Sequence, residues 1–157
     1  MIGFGYDSHR FTDTGSLIVG GITIDCEFGV LAHSDGDVLI HALIDALFGA
    51  SGLGDIGEHY PDTNDKYKGL SSIELLKDCF IKIQEKKFRI VNIDATIILE
   101  KPKLSDYKIQ IRNNIANLCG ISEEYVNIKA KTNERMGFTG RSEGIVCLCA
   151  CQLETFG

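Results

Sequence analysis

The chain has 157 residues, 44% hydrophobic and 24% charged, and its 16 basic against 22 acidic side chains leave a net charge of −6. That length suits one domain, residues 1–157, with a core of its own. The acidic balance argues against nucleic acid as a partner, because phosphate backbones attract clustered Lys and Arg, and no run approaches the roughly 18–20 apolar residues of a membrane helix.

Ile2, Phe4 and Tyr6 alternate with Gly3, Gly5 and Asp7, which predicts a strand. Residues 17–19 and 22–24 flank Gly20-Gly21 as a hairpin. After the polar stretch His33-Ser34-Asp35-Gly36-Asp37, residues Val38, Leu39, Ala42, Leu43, Ala46 and Leu47 recur at helix spacing. Ser34 or Asp35 is expected to cap that helix, with Asp37 in its first turn and Gly49 and Gly52 ending it. Residues 51–70 carry four glycines and the Pro61-Asp62-Thr63 turn, a loop too long for a compact domain unless it binds something.

Ser71-x-x-Glu74 is a capping box, followed by the apolar stripe Ile73, Leu76, Phe80 and Ile83. Ile93, Ala95, Ile97 and Leu99 alternate as a strand that stops near Pro102. Helical spacing returns over residues 105–119, with Gly120 as C-cap. A strand at Val126, Ile128 and Ala130, a Gly-rich loop over 133–144 and a last strand over 145–153 complete the pattern. The fold class is α+β, a mixed sheet with helices on one face. The last strand is apolar on both sides, Val146, Leu148 and Ala150 on one and Cys147, Cys149 and Cys151 on the other, so the second face is expected to meet a partner copy. The six cysteines read as small buried hydrophobes of a reducing compartment rather than as disulfides or metal ligands. With no basic, apolar leader, the chain reads as untargeted and cytoplasmic.

The chemistry concentrates at three places. In Asp7-Ser8-His9, residues two apart on a strand share a face and can converge on one ion. His41 lies on the first helix between Asp37 and Asp45, a polar stripe whose carboxylates can orient its ring. Two imidazoles and a carboxylate suit a divalent metal with an open position, either zinc or an iron of the oxygenase type; a capping His9 and a hydrogen-bonded core His41 are the bland alternative. The stretch Thr132-Asn133-Glu134, followed by Gly137-Phe138-Thr139-Gly140-Arg141, offers backbone N–H groups and a guanidinium to an anion, although an ordinary turn has the same look.

Taken in order, these blocks resemble the 2-C-methyl-D-erythritol 2,4-cyclodiphosphate synthase family. The resemblance is carried by Ile2 to Phe11, Leu31-Ala-His33-Ser34-Asp-Gly-Asp37, His41 to Asp45, Leu53-Gly-Asp55-Ile56-Gly57 and Pro61-Asp62-Thr63. It continues at Pro102-Lys103, Lys129 to Glu134 and Gly137 to Gly144. It implies a homotrimeric, cyclising lyase of the non-mevalonate route to isoprenoid precursors. Such an enzyme converts 4-diphosphocytidyl-2-C-methyl-D-erythritol 2-phosphate to the 2,4-cyclodiphosphate and releases CMP. It implies Zn2+ on Asp7, His9 and His41, a second ion (Mg2+ or Mn2+) on Glu134, and His33 and Thr132 steadying the reacting phosphates. Substrate contacts are implied at Asp7, His9, His33, Ser34, Asp55, Ile56, Gly57, Tyr60, Pro61, Asp62, Thr63 and Asn64. On a neighbouring subunit they are implied at Leu99, Pro102, Lys103, Leu104, Ser105 and Lys131 for cytidine. Thr132, Asn133, Glu134, Phe138 and Arg141 complete the implied set. Arg141 and Phe138 are expected near the threefold axis, where an isoprenoid diphosphate could sit. The sequence departs from the family at Asn64-Asp65, where Asp-Pro is common. A zinc-dependent phosphohydrolase and a trimeric metal-containing binding protein remain as alternatives.

Overall fold

The computed structural model describes residues 1–67 and 69–157. A five-stranded sheet has the order β4-β1-β7-β5-β6, from β1 (Ile2–Thr12), β4 (Gly29–Leu31), β5 (Phe88–Ile98), β6 (Val126–Lys131) and β7 (Gly144–Thr155). β5 and β6 run parallel and the other pairs antiparallel, so the sheet is mixed as expected. The hairpin β2 (Leu17–Val19) and β3 (Ile22–Ile24) stands apart as a two-stranded sheet. Its Gly20 and Gly21 adopt φ of 61° and 77°, the left-handed geometry that a tight hairpin turn requires.

Three main helices, α1 (Val38–Ser51), α3 (Ser72–Glu85) and α4 (Lys108–Cys119), join the sheet in one apolar core. Two short helices, α2 (Ile56–His59) and α5 (Gly137–Gly140), lie within the segments 51–70 and 133–144 that periodicity presents only as loops. α3 opens on the predicted capping box, with Ser71 and Glu74 satisfying one another's backbone N–H groups. α1 is capped differently from expectation. Asp37, not Ser34 or Asp35, is the N-cap, and its carboxylate accepts from the N–H groups of Ile40, Gly20 and Gly21 at 3.0, 2.9 and 2.6 Å. It therefore anchors the hairpin turn to the start of α1. Burial pushes this carboxyl up to about 6, against the three N–H donors that favour its ionised form.

Strand limits also differ from expectation. β1 continues through Asp7-Ser8-His9 to Thr12, and β5 begins at Phe88, five residues before the alternation becomes legible. The three-residue β4 is too short to show any period, and α4 starts at Lys108 rather than 105. Along β1 every second residue turns toward α1, first Gly3 and Gly5, then Asp7 and His9. A Cβ on Gly3 would lie 1.8 Å from the Ala46 carbonyl oxygen, and one on Gly5 1.9 Å from that of Ala42. The absence of side chains there lets α1 rest directly on β1. Among the described residues no helix covers the opposite face of the sheet, where Ile2, Phe4 and Tyr6 are exposed by 80, 65 and 51%.

This contact yields a paired prediction. Gly5→Ala should cost at least about 2–3 kcal/mol in urea unfolding, because the clash is with backbone that cannot rotate away. Gly49→Ala, helical and exposed with nothing within 4 Å of a new Cβ, should instead raise stability by roughly 0.5–1 kcal/mol. A Gly5→Ala protein of parent stability would mean that the helix does not depend on this close approach.

Candidate metal centre and substrate pocket

α1 is apolar nearly all round, and only His41, Asp45 and Gly49 interrupt its burial, four residues apart on one stripe. Seating α1 on β1 brings His41 opposite Asp7 and His9. His9 Nε2 lies 2.9 Å from Asp7 Oδ2, His41 Nδ1 lies 3.1 Å from the same oxygen, and the two ring nitrogens are 3.3 Å apart. Ligand atoms around a tetrahedral ion with bonds of 2.0–2.1 Å stand about 3.3 Å from one another, so this donor set fits a divalent metal. Among the described residues it is the one cluster of three or more such side chains that could hold a metal. Burial alone would raise the Asp7 carboxyl, but hydrogen bonds and charge from His41 and His9 outweigh it and hold it at about 2. Burial opposes a charge on His41 as well, yet the Asp7 carboxylate lifts this imidazole above its usual value. Metal and protons thus compete for the same three atoms.

The carboxylates expected to orient His41 are engaged elsewhere. Asp37 caps the helix, and Asp45 accepts from the Ile56 N–H at 2.8 Å, which ties α2 to α1. The ring is held instead from α3. His41 Nε2 lies 2.9 Å from Ser72 Oγ and 3.2 Å from Ser34 Oγ, and Ser72 is bound in turn to Asp35. Neither Ser72 nor Asp35 stands out in the sequence as part of a site, since Ser72 merely follows the capping serine and Asp35 reads as a helix cap.

The three candidate ligands open into a pocket of about 980 Å³. Its walls include His33 and Ser34 from the segment before α1, Ile56 and Gly57 from α2, and Tyr60, Pro61, Asp62, Thr63 and Asn64 from the following turn. Leu31, Ala32, Asp65, Tyr67 and Leu75 also line it and are not among the contacts expected from the sequence. The hydroxyl of Tyr60 is committed to Asp78 at 2.7 Å, leaving its ring for the pocket. Asp55 is adjacent but does not line it; its carboxylate caps α2 by accepting from the Glu58 N–H.

Most of the remaining predicted site residues are gathered elsewhere, on the β5–β6 side of the sheet, while Phe138 and Arg141 lie on α5 and the turn that leads into β7 beside the end of β1. β6 is three strands from β1, about 14 Å at ordinary strand spacing. There the Leu99 N–H donates to the Lys131 carbonyl, and the Asn133 N–H donates to Glu100. Thr132 and Glu134 lie side by side, with Thr132 Oγ1 3.4 Å from Glu134 Oε1. Leu99 and Leu104 are buried in the core, so toward a ligand they offer main-chain atoms. Pro102, Lys103 and Ser105 lie in the connection after β5. Phe138 is 42% exposed on α5, and Arg141 is paired with Glu143 at 2.6 Å. All six cysteines are free thiols, and burial raises those of Cys147, Cys149 and Cys151, in keeping with their reading as small apolar residues.

Comparison with known proteins agrees with this fold. A 2-C-methyl-D-erythritol 2,4-cyclodiphosphate synthase of Lachnospira eligens is 51% identical over 154 residues, which is 98% of this chain and 84% of that one. A solved 2C-methyl-D-erythritol-2,4-cyclodiphosphate synthase with CDP bound superposes with a TM-score of 0.91 at 30% identity, over 98% of this chain and all of the other. The bifunctional IspDF of Campylobacter jejuni superposes at 0.95 with 45% identity; the match covers 99% of this chain but 42% of that longer one. The model of the YgbB family matches residues 1–154, and the chain belongs to that family.

Proposed function

We propose that this chain converts 4-diphosphocytidyl-2-C-methyl-D-erythritol 2-phosphate to 2-C-methyl-D-erythritol 2,4-cyclodiphosphate and CMP, as a cyclising lyase of the non-mevalonate pathway. The observation that carries this reading is the convergence of Asp7, His9 and His41 on one pocket with His33, Ser34 and the 56–64 segment, in a chain half identical to named synthases. In the reaction an oxygen of the 2-phosphate forms a bond to the β-phosphorus, the bond from that phosphorus to the CMP oxygen breaks, and the departing CMP keeps the electron pair. The nucleophile is already an anion, so no strong base is needed; the obstacle is bringing anionic groups together.

Zn2+ on Asp7, His9 and His41 and a second ion, Mg2+ or Mn2+, on Glu134 would neutralise phosphate charge and polarise the P–O bonds. His33 and Thr132 steady the two reacting phosphates. Asp55, Ile56 and Gly57, with Tyr60 to Asn64, hold the methylerythritol chain in a folded shape, which is a positioning task that oriented sites perform well. Main-chain and side-chain groups of Leu99, Pro102, Lys103, Leu104, Ser105 and Lys131 grip the cytidine.

The separation of the two residue groups within one chain, together with the bare apolar face carrying Ile2, Phe4 and Tyr6, supports a homotrimer. In it the β5–β6 side of one copy would complete the pocket of the next. An isoprenoid diphosphate near the axis would have to displace Glu143 from Arg141. We assign the enzyme to the cytoplasm.

Three outcomes test these readings. In oxygen-18 water, mass spectrometry should find unlabelled CMP and unlabelled cyclic diphosphate, and Glu134→Gln should lower turnover by about a hundredfold or more while zinc stays bound. Solvent oxygen in the initial product would instead establish a hydrolase. Co-expressed His41→Ala and Glu134→Gln chains, each nearly inactive alone, should recover up to about a third of parent activity in mixed trimers, the share of their interfaces at which both intact residues meet. No recovery from trimers shown to be mixed would place the whole site in one subunit. The purified protein should hold about one zinc per chain, and calorimetry in buffers of different ionisation enthalpy should show proton release on binding. Because His41 titrates above its usual value, affinity should weaken as pH falls through and below neutrality.

A further inference from the structure

The geometry points to Ser72 and Asp35 as positioning residues that set the tautomer of His41 and aim its Nδ1 lone pair at the metal position, a role that rests on the metal reading above.

The Asp35 carboxylate receives both the Ser72 N–H, at 2.9 Å, and the Ser72 hydroxyl. An ionised carboxylate can only accept, so the hydroxyl hydrogen of Ser72 points to Asp35. The lone pairs of that oxygen are then what His41 Nε2 meets at 2.9 Å, and the bond between them requires the hydrogen on Nε2. With the hydrogen held at Nε2, Nδ1 is the nitrogen free to ligate, and it is Nδ1 that faces Asp7 and His9. The relay from Asp35 through Ser72 to His41 thereby does for this imidazole what a directly bonded carboxylate does at other metal sites: it selects one nitrogen and raises its donor strength.

Ser34 is the weaker holder. It is farther from Nε2, at 3.2 Å, it lines the open pocket, and its oxygen also receives the Gly36 N–H. Ser72 is fully buried and lies behind the pocket wall rather than in it. Its position adds a consequence. Ser72 is the first residue of α3, separated by residues 65–71 from the turn that supplies Pro61 to Asn64 to the pocket, so the ring is braced from an element other than the two that carry the candidate ligands.

The test is zinc affinity of the metal-free protein, read by competition with a chromophoric chelator, together with the visible spectrum of the cobalt(II) form. Ser72→Ala should bind zinc about 10- to 100-fold more weakly and alter the cobalt bands, and Ser72→Thr, which keeps the hydroxyl, should restore both. Asp35→Asn, which leaves acceptor and donor atoms but removes the charge, should weaken binding by a smaller factor, and it serves as the measurement should Ser72→Ala not fold. A parent protein that takes up no zinc would refute the metal reading itself. Parent affinity and an unchanged cobalt spectrum in folded Ser72→Ala, or in Asp35→Asn if that is the variant available, would overturn the positioning role while leaving the metal site standing.

Discussion

The site depends on one close contact, the seating of α1 on β1 across Gly3 and Gly5. Main chain meets main chain there, since a methyl group at either glycine would overlap a helix carbonyl. Two and four residues beyond Gly5 the same strand face carries Asp7 and His9, and one residue before Ala42 the helix carries His41. An intervening side chain would push the helix out and separate ligand atoms that now stand 2.9–3.3 Å apart. Metal geometry tolerates errors of only a few tenths of an ångström, which is why packing without side chains serves this position.

Around that contact, polar groups in the interior are assigned one task each. Asp37 joins the hairpin turn to α1, Asp45 joins α2 to α1, and Asp35 joins the start of α3 to the segment before α1. Asp37 is fully buried and Asp35 and Asp45 are half-buried, and each meets backbone N–H groups, so its desolvation is offset locally. These ties fix three segments around His41 while the pocket remains open on its other side.

Within one chain the machinery is divided. The candidate metal ligands, His33 and the 56–64 segment lie on the β1 side, and the residues proposed for cytidine and the second ion follow β5 and β6, two and three strands away. The division agrees with a bare sheet face whose exposed residues are aromatic and aliphatic, and it makes assembly part of the proposed chemistry rather than an accessory to it.

Much of the architecture is written in local signals. The hairpin at Gly20-Gly21, the capping box at Ser71 and Glu74, and the C-cap at Gly120 depend on backbone rules acting over a few residues, and all three are found as expected. The alternation of Asp7 with His9 and the stripe through His41 likewise disclosed the three side chains that the structure brings together as a candidate metal site. Contacts between residues distant along the chain were settled only by tertiary packing. Asp37 replaced Ser34 or Asp35 as the cap because its carboxylate also meets a hairpin turn 16 residues earlier. The histidine's orienting partner proved to be Ser72, 31 residues away, rather than the aspartates one helical turn to either side. Periodicity reports which face a residue occupies; it carries no information about which distant polar group lies across from it, because that is decided by how closely the elements pack, here by two glycines.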